Sequence, residues 1–195
     1  EQQQEMQSVE EKLTLVSTDC GVGIKQNSKG NREIWIGAKL HISAVDGDIP
    51  ITAFYSGANV HDSSVALPLM QETSKRVNYL YDLQDAGYDA DIIREFSTTL
   101  GHRPIIDTNP KNSKELKAKI ELIEHENKTF KYLNWHLNCD EQHYKQRSMV
   151  ERVNKYLKDD FGCDKIYYQG ATKVASVLAF GILSICIHKS LQLVT

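Results

Sequence analysis

The sequence predicts an α/β fold, a mixed five-stranded sheet with helices on both faces. Two observations carry this. Three strand-like segments come first and close together, as in an antiparallel meander. Short apolar segments then alternate with helical ones, as in parallel crossovers, before helical periodicity takes over. At 195 residues, 41% hydrophobic and 25% charged, the chain suits one soluble domain with a real core.

Residues 1–12 are a polar, acidic lead without an initiator Met, read as the remnant of a missing upstream segment; residues 13–195 are read as the domain. Leu13 to Thr18 reads as the first strand, ending at Asp19, with Cys20 and Gly21 turning the chain into a polar loop, GIKQNSKGNRE. Glu33 to Ala44 is a second strand, Asp46-Gly47-Asp48 a hairpin turn, and Ile49 to Ser56 a third strand. A helix opens near Asn59 to Ser64, with Asp62, Ser63 and Ser64 as N-cap candidates; Pro68 is tolerable only in its first turn. Val77 to Tyr81 is a strand reached by crossover. Asp89 is expected to cap a helix with Ile92, Ile93, Phe96 and Leu100 on one face and Gly101 at its C′ position. Arg103 to Asp107 is the fifth strand, and Lys111 to Lys128 a charged helix with Leu116, Ile120 and Ile123 on one side. Residues 129–143 are irregular, anchored by Phe130, Tyr132 and Trp135; Phe161 to Ala171 is a loop; Thr172 to Leu193 is a closing apolar helix.

The segment YKQRSMVERVNKYLK, Tyr144 to Lys158, carries the densest chemistry. Read as one helix, it puts Tyr144, Arg147, Glu151, Lys155 and Lys158 within roughly 80° of arc, with Met149, Val150, Val153 and Leu157 elsewhere, able to face a core. One carboxylate in a stripe of cations and a phenol suits a metal held beside a polyanion. The plainer alternative is a solvated face on which Arg147 and Lys155 pair with Glu151 at i±4 spacing.

The spacing Tyr144-x2-Arg147-x3-Glu151-x6-Lys158 resembles the tyrosine–arginine–glutamate–lysine signature of DDE-class insertion-sequence transposases. STDCG at 17–21, GAKLH at 37–41, NVHDS at 59–63 and DAGYD at 85–89 follow in the order such a domain would show. The resemblance implies a ribonuclease-H-like fold and two-metal phosphodiester chemistry with Mg²⁺ or Mn²⁺. It also implies double-stranded DNA, element ends and target, as partner, a homodimer on that DNA, and a bacterial cytosolic setting without a membrane. Some relatives carry a large β-rich insertion before the glutamate helix; here residues 108–143 are modest and partly helical.

Such chemistry needs a few carboxylates from different elements, and the chain offers Asp19, Asp85 and Glu151 for catalysis and metal binding. Each has a plain alternative: a turn residue, a loop residue and a surface ion-pair partner. After the fourth strand, YDLQDAGYD offers Asp82, Asp85 and Asp89; Asp85, just past the strand, is the preferred ligand and Asp82 the runner-up. Arg147, Lys155 and Lys158 are phosphate-contact candidates, Lys155 from the helical face alone, and Tyr144 is a candidate for a phosphate or a base. Lys39 is a weaker DNA candidate, and His61 reads as structural.

A net charge of −3 excludes a globally basic nucleic-acid binder, so DNA contact must be local. Cys20, Cys139, Cys163 and Cys186 are scattered, as suits a reducing cytosol. His136, Cys139 and His143 could begin a zinc site but lack a fourth ligand at suitable spacing. Val174 to Ile187 is apolar yet too short for a membrane span and reads as a buried core helix. The competing function is a catalytically inactive or domesticated remnant that binds DNA or protein without cutting.

Overall fold

The computed structural model describes residues 14, 16–26, 30–109, 113–129 and 139–194. The chain forms two compact units, one from Glu1–Tyr79 with Ser148–Thr195, the other Leu80–Arg147.

In the first unit, β1 (Gly21–Gln26), β2 (Arg32–Val45) and β3 (Ile49–Gly57) form an antiparallel meander. The described residues of the expected first strand, 14 and 16–18, form no strand. The first strand is GVGIKQ, in the expected loop, paired from Gly21↔Gly37 to Gln26↔Arg32. Its polar, glycine-containing sequence has little strand propensity; long β2 supplies the ladder, a non-local term that composition hides. Val22, Ile24, Ile34 and Ile36 on this ribbon are exposed. The expected hairpin turn is present, with Gly47 and Asp48 both at positive φ, where Gly and Asp are the residues that fit.

Alternation divides the β2–β3 faces. Leu40, Ile42, Ala44 and Ala53 pack with Val153, Leu157 and Ile185 into the core, using α5 (Ser148–Asp159) and α6 (Ala171–Val194). On the other face, Lys39 and His41 reach Asp62 at the start of α1 (Ser63–Arg76). Asp62 occupies the N-cap position without a side-chain cap bond, because its carboxylate serves Lys39. The Nδ1 of His61 accepts from the Ser63 amide instead. Pro68 lies in the second turn, beyond its expected first-turn position, at the end of a buried run from Val65 to Pro68; packing outweighs its missing N–H.

α6 is longer than expected and only partly buried. Its segment Ala171–Gln192 is long and apolar enough to cross a membrane, so the expectation of a run too short to span is corrected. Leu178, Gly181 and Ile185 are buried, whereas Phe180, Leu183, Ile187 and Leu191 are exposed, which also corrects the expectation of a wholly buried core helix. A helix apolar all round needs partners all round, and the sheet covers one face.

In the second unit, β4 (Tyr81–Gln84) and β5 (Arg103–Ile106) pair in parallel, joined through α2 (Asp91–Thr99). The expected fourth strand, Val77 to Tyr81, is thus displaced toward the C-terminus, and only Tyr81 belongs to both. α2 ends as the glycine predicts. Gly101, at φ +83°, donates to the Thr98 carbonyl, and His102 donates to the Ser97 carbonyl. Its start differs: Ala90 is the N-cap residue and Asp91 the first-turn acid, while Asp89 is used elsewhere. α3 (Lys114–Thr129) leaves Ile123 exposed, and α4 (Cys139–Lys145) extends helix into the expected irregular stretch. Phe130, Tyr132, Trp135 and His136 lie outside the described residues. The five strands therefore pair as three antiparallel and two parallel.

Candidate functional site

The acidic run after β4 is sorted by its hydrogen bonds. Asp82 points into the second unit, 6% exposed, and its Oδ2 accepts from the Ser97 hydroxyl at 2.6 Å and meets His102 Nδ1 at 3.1 Å. The left-handed Gly101 makes the second contact possible, since it turns the chain so that His102 follows α2 back onto β4. Asp89 is also occupied: Oδ1 takes Nε and Nη2 of Arg94, and Oδ2 takes the Asn109 amide at 2.7 Å. Asp85 is exposed at the exit of β4, its Oδ1 accepting the Gly87 amide at 3.0 Å, a local turn bond that fixes its orientation.

Asp107 occupies the matching position after β5, because Gln84 pairs with Ile106 in the parallel ladder. The Tyr144 hydroxyl donates to Asp107 Oδ2. Desolvation, then this bond, pushes the phenol pKa up to about 12, with Asp85 adding and Arg147 opposing. The Arg147 guanidinium lies 5.4 Å from the Tyr144 ring centroid. Tyr144 also lines a shallow cleft with Ile105, Ile106, Asp107, Asp140 and Lys145. α4 is held by the stack of His143 on Tyr81, centroids 4.2 Å apart, and by the ion pair of Arg103 with Asp140 at 2.7 Å.

The single helix expected from Tyr144 to Lys158 is two. Short i→i+3 bonds, Gln146 to the His143 carbonyl and Arg147 to the Tyr144 carbonyl, tighten the end of α4, and α5 starts at Ser148. One 100° per residue stripe therefore does not run through all five polar residues. Tyr144 and Arg147 belong to the second unit; Glu151, Lys155 and Lys158 belong to α5 in the first. Within α5 the expected pattern holds: Met149, Val153 and Leu157 are buried, and Glu151, Lys155 and Lys158 are exposed.

α5 is anchored by a contact that no sequence signal announces. Arg152 Nε donates to both oxygens of Asp48, at 2.8 and 3.0 Å, 104 residues away at the hairpin turn. Lys189 stands 3.7 Å from the same carboxylate. The Arg152 hydrogen bond, ahead of other influences, holds the Asp48 carboxyl below the usual range.

Asp19 is exposed, and it precedes β1 rather than ending a strand. Its segment lies against the end of β3: the Gly57 amide donates to the Ser17 carbonyl at 2.8 Å, and a Cβ on Gly57 would stand 2.3 Å from the Asp19 carbonyl oxygen. Lys39 is bonded to the Val60 carbonyl and to Asp62, so its ammonium serves the fold. His41, in the same motif, is buried with Ser56 at 2.8 Å, and burial lowers its pKa despite Asp62.

Among the described residues, neither unit by itself gathers three or more His, Cys, Asp or Glu side chains able to hold a metal ion. The candidate acids are divided, with Asp19 and Glu151 in the first unit and Asp85 in the second. The sequence reading gave no site role to Asp107 or Arg152 and saw Asp48 only as a turn residue; Asp107 had a usable signal, its place right after a parallel strand.

Neither the curated proteins nor the solved structures gave a match. A family model described as the transposase DDE domain matches residues 13–187, nearly the whole chain and both units. The chain therefore belongs to the transposase DDE domain family.

Proposed function

We propose that residues 13–195 are the catalytic domain of an insertion-sequence transposase. On this reading it cuts DNA at element ends and joins the freed 3′-hydroxyl to target DNA. The ribonuclease-H-like reading unites the five strands in one mixed sheet, and Tyr144, Arg147, Glu151 and Lys158 form the family signature. The observation that carries the assignment is the family match over residues 13–187, supported by the way hydrogen bonding leaves Asp85 as the exposed acid of its run.

Asp19, Asp85 and Glu151 are assigned as ligands of two Mg²⁺ or Mn²⁺ ions. Their oxygen donors suit a hard divalent cation, and all three are exposed, as residues that must accept an ion and a phosphate are. When bound, the ions supply activation of the attacking oxygen and stabilisation of the leaving one. The chain's own part is to present Asp85 with its orientation fixed by the Gly87 amide, and to hold phosphates with Arg147, Lys155 and Lys158. Double-stranded DNA is the partner, bound by a homodimer in the bacterial cytosol.

The test is nicking of supercoiled plasmid in Mn²⁺, a substrate that requires no knowledge of the element ends. The parent chain should nick, and Asp19→Ala, Asp85→Ala and Glu151→Gln should not. Duplex binding without metal-dependent nicking by the parent would favour the non-cutting remnant instead.

A further inference from the structure

Tyr144 has a hydroxyl that could serve DNA, and the structure commits it elsewhere. Its proton goes to Asp107, a residue placed by β5. A phosphate oxygen approaching that hydroxyl would find no free donor, and it would meet the negative charge of Asp107. What Tyr144 does offer is its ring face, over which Arg147 lies 5.4 Å from the centroid. Arg147 sits in the turn after α4, where backbone geometry alone leaves a long side chain many rotamers; an aromatic seat reduces them. The ring is itself held, because the Tyr81–His143 stack and the Arg103–Asp140 pair fix α4.

We propose that Asp107 is a positioning residue for the pair Tyr144 and Arg147: it binds the Tyr144 hydroxyl so that the ring seats the Arg147 guanidinium, and Arg147 makes the phosphate contact. This rests on the reading of the chain as a DNA-acting transposase domain. It predicts that Tyr144 works through its ring and that Asp107 works through Tyr144.

The test uses the whole chain with isotope-labelled arginine and a fluorescent duplex of mixed sequence. Without DNA, the Arg147 Nε–H resonance should carry a ring-current shift. That shift should vanish in Tyr144→Ala, shrink but persist in Tyr144→Phe and in Asp107→Ala, which each break the bond, and return in Asp107→Asn, which keeps an acceptor for the phenol. With DNA, Arg147→Ala and Tyr144→Ala should each weaken binding about tenfold and lower the salt slope by about one, the loss of one phosphate contact. Tyr144→Phe should cost about twofold to threefold, and the double variant Tyr144→Ala, Arg147→Ala should be no weaker than either single one. If Tyr144→Phe keeps most of the ring-current shift yet binds the duplex as weakly as Tyr144→Ala, the hydroxyl touches DNA directly and the proposal is overturned. A parent chain that keeps the ring-current shift but binds no duplex would overturn the transposase reading instead, and with it the DNA role of the pair.

Discussion

Alanine at Asp85 should abolish nicking, and alanine at Asp82 should chiefly cost stability; a melting curve and a nicking assay together separate the two. Asp82→Ala removes the acceptor of the Ser97 hydroxyl, which is fully buried, and a partner of His102 Nδ1. A buried donor deprived of its acceptor costs about 1–3 kcal/mol, so the two together cost roughly 2–6 kcal/mol. For a chain of this size that is a fall of about 5–15 °C in melting temperature. Asp85→Ala loses one exposed turn bond, worth about 0.5–1.5 kcal/mol. The assays are thermal unfolding by circular dichroism and plasmid nicking in Mn²⁺, performed well below either midpoint. Asp85→Ala should melt within a few degrees of the parent and be inactive. Asp82→Ala should melt early, and Asp82→Asn, which can still accept from Ser97, should recover part of the stability. An Asp82→Ala chain that melts like the parent and does not nick would show that Asp82 holds the metal, and the sorting of the acids by their hydrogen bonds would be wrong.

The two faces of α5 should separate in the same way. Val153→Ala, at a fully buried site, should cost about 1.5–3 kcal/mol, while Glu151→Gln should leave the melting temperature nearly unchanged and stop nicking; a large stability loss at Glu151 would make it structural. Gly57→Ala should displace the Asp19 backbone, 2.3 Å from the new Cβ, and reduce nicking as Asp19→Ala does; a parental nicking rate would show that the Asp19 segment moves without consequence. Stability should fall as pH drops below about 6.5, because unfolded His41 takes a proton that buried His41 resists. It should fall again below about 4, through the depressed Asp48 pKa, since the unfolded carboxyl protonates first. Urea titrations across pH should show His41→Gln flattening the upper slope and Asp48→Asn the lower, and unchanged slopes would contradict both assignments.

Short-range chemistry made several features legible before any fold was known. Asp46-Gly47-Asp48 specified a hairpin because Gly47 and Asp48 fit positive φ, and the flanking alternation then placed β2 and β3. Gly101 marked the end of α2 for the same reason. The spacing of Met149, Val153 and Leu157 identified the buried face of α5, and the ordered acidic and signature motifs pointed to the family. Tertiary structure decided the rest. β1 has almost no strand signal of its own and exists because β2 offers it a ladder. The helix break before Ser148 lies between residues of good helical pattern, invisible until the two segments pack in different units. Asp82, Asp85 and Asp89 are the same residue type within eight positions, and only their partners tell them apart: Ser97 and His102, the Gly87 amide, Arg94 and Asn109. Tyr144 finds Asp107 across 37 residues, and Arg152 finds Asp48 across 104. A carboxylate's role depends on which donors surround it, and those donors are brought by chain segments too distant in sequence for any local pattern to announce them.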